Sequence, residues 1–414
     1  MKSSKLAVAA MFGLVFMVGF VTMFTGPMGA VVKAQFGASN ALAMFGASAN
    51  FLAYLFMGIP GGMVVKRRGY KFSALLAVAI GFAGVTLQML SGLVGSFAVY
   101  VAGAFVAGLS MCLLNVTANP LLNELGGGGN GGNRLVQYGC TFNSFGGMAS
   151  PMVLGWFIGG EIAKARVIDV LPAQALALFC FVAAFVALLF TSIPEPHLEA
   201  KARADAPPDS SMWSDFAAMF RFRHFALGVA VMFLFEPIEA GIPQMAMLYM
   251  TAEGAPAYVG AAVAGTLVTL YCACMMLGRF LGGLLGGRVT ARTMLSFCAL
   301  ACIALLVAVI NVPLVKVPVP FVNTAIPLSM ALMALCGVFT SVMFGGLINL
   351  ALEGLGRYVP MASGILMSTV FGGSLLALQG LFADRFGILE SYYVTIVLLA
   401  AVFAYARGGS KPRA

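Results

Sequence analysis

Charge is what this chain has least of. Only 9% of its 414 residues are Asp, Glu, Lys or Arg, against 61% hydrophobic, and the ionic side chains fall in short clusters. Apolar stretches of about 20 residues or more separate them, enough for a helix rising about 1.5 Å per residue to cross a hydrocarbon core of about 30 Å. Lipid cannot satisfy exposed backbone groups, and these runs are too long and too uniformly apolar for barrel strands, so helices remain. Histidine is scarce too: His197 and His224 both fall in the central polar stretch, which argues against a haem or zinc site between helices. The 8 cysteines all lie inside apolar runs, where a thiol behaves as a small apolar residue. Cys272 and Cys274 lack the spacer of a metal or redox motif, so neither a metal nor a cofactor is expected. Nucleophile, base and orienting acid do not occur together, so no enzyme is expected. Gly126–Gly129 with Gly131 and Gly132 is followed by no Lys-Ser/Thr pair, and reads as a flexible turn rather than a phosphate-binding loop.

What is there is about twelve spans: near Leu6–Val32, Ala41–Val65, Phe72–Leu90, Phe97–Leu122, Val136–Gly160, Ala173–Ile193, Phe225–Met250, Val259–Gly287, Met294–Val312, Ile326–Leu352, Ala362–Ala383 and Tyr392–Ala406. Lys2 and Lys5 precede a first run too long for a signal peptide, so it counts as a span. Residues 194–224, rich in proline and charge, form a linker with an interfacial helix expected at Met212–Phe222. The expected fold is an all-α membrane protein of two pseudo-symmetric six-helix bundles, 1–193 and 225–414. Each half carries a glycine-rich helix end and a basic turn after its second span, an organisation found among transporters built from parallel repeats. The glycines and bases there, Gly62, Arg67, Gly69 and Lys71, then Gly278, Arg279 and Arg288, are candidate gating residues, because small residues let helices approach and slide. Topology alone is the alternative reading of the bases.

A cytoplasmic N-terminus places roughly 18 of the 23 Lys and Arg on that side and 5 on the other. Both termini are therefore expected in the cytoplasm, in a multi-pass protein of the cytoplasmic (inner) membrane. The net charge of +9 is accounted for by topology, and no nucleic-acid partner is expected.

Ionic groups at membrane depth cost about 2.5–3.5 kcal/mol on insertion scales and are functional candidates by default. Glu236 and Glu239, three residues apart on one face of the seventh span, stand among Pro237, Gly241 and Pro243, which open the helix. They are candidate proton-coupling residues; pairing of a carboxylate with Arg279 as a structural tie is the alternative. Asn115, Asn119 and Asn123 line one face of the fourth span, with Asn115 favoured for a cavity. Asn50, Tyr54, Gln137, Asn143, Gln244, Tyr271, Asn349 and Gln379 complete the candidate substrate-binding set, with interhelical hydrogen bonding as the alternative for each. Many neutral hydrogen-bonding groups with little charge suit a sugar or other polyol better than a metal ion or polyanion.

The segments IPGGMVVKRRGYK (Ile59–Lys71), NPLLNELG (Asn119–Gly126), TFNSFGG (Thr141–Gly147), GRFLGG (Gly278–Gly283), SVMFGGLINLALEGLGRY (Ser341–Tyr358) and SGILMSTVFGGSLLALQGLFAD (Ser363–Asp384) resemble the fucose/galactose/glucose:proton symporter family of the major facilitator superfamily (MFS). The resemblance runs along nearly the whole chain. It implies a twelve-helix facilitator fold and proton-linked monosaccharide uptake through a central cavity as the two halves rock; separately, the protein is expected to be a monomer. An acid of the family's first span aligns with Gly26, one of its fourth span with Asn115, and the glutamine before Thr-Phe-Asn with Cys140. Glu239 matches an acid found in many members early in the seventh span, and Glu236 is additional. With two expected acids missing, a gradient-independent uniporter and an exporter of another small metabolite remain open alternatives.

Overall fold

A computed structural model describes residues 2–36, 40–158, 170–195, 198, 212–251, 261–313, 315–319 and 322–411. The chain runs α1 (Lys2–Phe36), α2 (Asn40–Val94), α3 (Phe97–Leu125), α4 (Gly129–Ile158), α5 (Leu171–Phe190), α6 (Met212–Arg221), α7 (Arg223–Thr251), α8 (Ala261–Leu285) and α9 (Ala291–Asn311). It continues with β1 (Lys316–Val319), β2 (Val322–Pro327), α10 (Leu328–Leu352), α11 (Val359–Ser368), α12 (Leu376–Phe386) and α13 (Tyr392–Ala404).

Among the described residues nine helical stretches are long and apolar enough to cross a membrane. One of them, Ala49–Val94, holds two crossings, and α4 and the broken α11–α12 segment supply two more, which gives the twelve spans of the sequence. Gly69 divides α2: its φ of 87° and ψ of 174° lie where a side chain would be strained. The helix restarting at Tyr70 has no acid of its own in its first turn. Glu195 supplies one, accepting hydrogen bonds from the backbone N–H of Tyr70 and of Lys71, each at 2.7 Å.

Two expectations are corrected in detail. The tenth span starts at Leu328 rather than Ile326, because Val322–Pro327 is the second strand of an antiparallel hairpin with Lys316–Val319. The eleventh is not continuous: a 3-10 stretch, Thr369–Leu375, separates α11 from α12. In the linker, α6 stands where the sequence predicts a helix, whereas residues 196–197 and 199–211, the end of the fifth predicted span and the start of the eighth lie outside the described residues.

Contacts group the chain into two units. The first comprises Met1–Gly127, Phe142–Met219 and Leu355–Val370; the second comprises Gly128–Thr141, Phe220–Gly354 and Phe371–Ala414. Each unit thus takes one short stretch from the opposite half of the sequence. In the first, α2 and α11 touch backbone to backbone, and a Cβ on Gly364 would lie 2.2 Å from the carbonyl oxygen of Gly58. In the second, a Cβ on Gly278 of α8 would lie 2.0 Å from the carbonyl oxygen of Val338 on α10. Lipid tails are as apolar as leucine, so van der Waals contact at such small residues drives this association. Outward-facing Phe190, 85% exposed, and Val397, 69% exposed, are what a lipid-facing surface requires.

Candidate functional site

Prolines determine where backbone groups open in this fold. Pro120 removes the N–H that the carbonyl of Val116 would accept in α3, and the hydroxyl of Ser363 on α11 donates to that oxygen at 3.4 Å. Pro243 does the same to Glu239 in α7, and the hydroxyl of Tyr271 on α8 donates to the Glu239 carbonyl at 3.4 Å. These contacts are long, yet each meets a freed acceptor in an apolar setting.

In the first unit Asn115 anchors a chain of neutral groups. Its Nδ2 donates to Tyr54 Oη at 3.2 Å and to the Met111 carbonyl at 3.1 Å, while its Oδ1 accepts from Asn119 Nδ2 at 3.3 Å. Asn50, one turn before Tyr54 and buried, donates to the Ala104 carbonyl at 3.4 Å and leaves its Oδ1 without a partner. Asn143 donates to the Val15 carbonyl at 3.0 Å. The gating candidates of this unit spread over the turn of α2. Gly62 packs on Pro360 and Gly364, Lys71 donates its Nζ to the Leu189 carbonyl at 2.9 Å, and Arg67 is exposed.

In the second unit the charges gather. Arg279 is buried; its Nη2 donates to Glu239 Oε1 at 2.8 Å, and its Nε and Nη1 point at the carbonyls of Ser341 and Cys140, each at 3.4 Å. Tyr271 meets Thr340 Oγ1 at 3.0 Å. Glu236, one turn before Glu239, is half-buried, and its Oε1 has neither solvent exposure nor a hydrogen-bond partner. Gln137, about one turn before Cys140 on α4, spends its Nε2 on the Val342 carbonyl at 2.9 Å. Asn349 donates to the Gly129 carbonyl at 3.4 Å, and Gln379 donates to Thr395 Oγ1 at 3.1 Å. Gln244 and Arg288 are exposed. The structure therefore brings together Tyr54, Asn115 and Asn119 in one cluster, and Glu236, Glu239, Tyr271 and Arg279 in another. Gln137, Asn349 and Gln379 are engaged in helix contacts of their own.

Several polar residues escape sequence reasoning. Glu195 caps the restart of α2, Asp215 of α6 pairs with Lys66, Tyr70 donates to Glu124 at 3.1 Å, and Arg292 pairs with Glu353 and donates to Ser410 Oγ at 3.2 Å. All four are separated from their partners by 54 residues or more, so no local spacing announces them. No group of three or more His, Cys, Asp or Glu residues able to hold a metal occurs among the described residues.

The glucose/galactose transporter of Brucella abortus (biovar 1, strain 9-941) is 26% identical over 415 residues, covering 99% of this chain and 95% of the relative. The L-fucose-proton symporter of Escherichia coli K12 is 23% identical over 382 residues, covering 87% and 83%. Among solved structures, the transporter FucP in its outward conformation superposes with a TM-score of 0.84 at 19% identity, covering 99% of this chain and 100% of that one. The proton:xylose symporter XylE superposes at 0.73 with 14% identity, covering 99% and 97%. The two likenesses establish the fold, and the model of the Major Facilitator Superfamily matches residues 11–377. Apolar spans, a continuous proline-bearing helix with paired carboxylates and small-residue helix contacts thus have a common explanation: the chain belongs to the Major Facilitator Superfamily.

Proposed function

We propose that the protein is a secondary transporter that moves a monosaccharide or similar polyol into the cell by alternating access. The observation that carries this is full-length similarity to glucose/galactose transporters, spanning 99% of the chain. The amide–phenol cluster of Tyr54, Asn115 and Asn119 supports it, since amides and a phenol both donate to and accept from hydroxyl groups without adding charge. Asn50, Asn143 and Gln244 are further binding candidates. The protein acts as a monomer in the cytoplasmic membrane with both termini inside, and the gradient that drives it is the proton gradient, through a carboxylate of α7.

Exchange of labelled for unlabelled D-glucose, D-galactose or L-fucose across proteoliposomes tests the reading. Saturable exchange of one of them is expected, and its Michaelis constant is expected to rise about ten-fold in Asn115→Ala, equivalent to about 1.4 kcal/mol. Absence of exchange for all three would overturn it. A second reading, a gradient-independent uniporter, draws on Glu239 being tied to Arg279 and on an amide at Asn115. Such a protein would exchange sugar but never accumulate it.

A further inference from the structure

The two carboxylates of α7 are not equivalent. Glu239 Oε1 accepts from Arg279 at 2.8 Å, and Arg279 is further steered by the carbonyls of Ser341 and Cys140. An ionised Glu239 and the guanidinium cancel, and a cation fixed on three sides leaves that carboxylate little freedom to exchange a proton. Glu236 sits one turn away on the same face, with Oε1 shielded from solvent and accepting from nothing. The titratable and charged groups around this turn are Glu239 on α7, Arg279, Tyr271 and Cys272 on α8, Cys140 on α4 and Tyr392, whose hydroxyl donates to the Ile242 carbonyl. Among these described groups Arg279 is the one cation for two acids.

We propose that Glu236 carries the coupled proton, while Glu239 is a positioning residue that serves as the fixed counter-ion of Arg279. The inference rests on the transporter reading above and assigns its coupling group. On loading, hydronium transfers a proton to a Glu236 carboxylate oxygen; one O–H bond forms, water is left, and Arg279, Glu239 and neutral Glu236 sum to zero charge. On release the O–H bond breaks, water takes the proton, and the site carries one net negative charge. Pro237 directly follows Glu236 and removes a helix hydrogen bond there, so this turn can adjust when the charge changes.

The test uses the full chain in proteoliposomes with D-galactose or D-glucose as probe. One charge crossing about 100 mV is worth about 2.3 kcal/mol, an accumulation ratio of about 50-fold. The wild type is expected to approach that ratio, and Glu236→Gln to exchange sugar at close to the wild-type rate while its accumulation ratio falls to about one. The double variant Glu239→Gln/Arg279→Gln, which removes the ion pair as a unit, is expected still to accumulate. Infrared difference spectroscopy between acid and neutral pH supplies a readout independent of sugar: the C=O stretch of a protonated carboxyl is expected to vanish in Glu236→Gln and to persist in Glu239→Gln. Gradient-driven accumulation by Glu236→Gln, or a carboxyl band lost only with Glu239, would overturn the assignment. Wild-type exchange without accumulation would also overturn it and leave the sugar reading standing. Absence of all exchange would remove the sugar reading, and the infrared band would still decide which carboxylate holds the proton.

Discussion

Pro243 and Tyr271 lie on different helices, yet one explains the other. The proline leaves the Glu239 carbonyl without its helix donor, and the tyrosine hydroxyl reaches it while also meeting Thr340. Tyr271→Phe removes this donor and little volume. Interhelical hydrogen bonds in membranes average about 0.6 kcal/mol, so the variant is expected to fold with a slightly lowered Tm in detergent and to lose more in transport than in stability. Equal Tm and equal exchange rate in the two proteins would show that the Glu239 carbonyl needs no such donor. Glu236 and Glu239 illustrate the limit of reading a helix face: their spacing was visible in sequence, but which of them meets Arg279 depends on the position of α8.

Elements in this protein are defined as much by interruptions as by apolar length. The restart of α2 at Tyr70 uses a positive φ at Gly69 and a carboxylate from Glu195, and the eleventh span breaks at Thr369–Leu375. Gly69 stood out in the sequence as part of a basic turn, whereas the cap did not, because Glu195 is 125 residues away. The contact of α2 with α11 depends on glycine at Gly58 and Gly364, where backbone meets backbone. Gly364→Val would push these helices apart and is expected to cost about 1–3 kcal/mol, the usual range for overpacking a tight contact. Thermal unfolding monitored in detergent should show the drop, and an unchanged Tm would mean that the two helices do not depend on this approach.

At the scale of the molecule, the bias of lysine and arginine predicts both termini inside. In a variant without native cysteines, Lys316→Cys is expected to react with an impermeant maleimide on intact cells, and Lys411→Cys only after permeabilisation. The reverse pattern would invert the topology. Contacts also draw Gly128–Thr141 and Leu355–Val370 into units with the opposite halves of the sequence, a grouping that a repeat read along the chain does not contain. It arises through backbone approaches such as Gly364 on Gly58 and side-chain contacts such as Gln137 on Val342.

The membrane class, the twelve spans, their helical form and the residues able to carry charge into lipid are all legible in the chain. Those properties follow from local quantities: apolar length against bilayer thickness, and the cost of an ionic group away from water. It takes the packed helices to show that Arg279 meets Glu239 and leaves the Glu236 Oε1 without a partner, that Gln137 spends its amide on a neighbouring backbone, and that Glu195 and Asp215 tie the linker to α2. These are long-range pairings. Their energy depends on the relative placement of helices, which is set by small-residue packing over the whole unit and leaves no periodic trace in the chain.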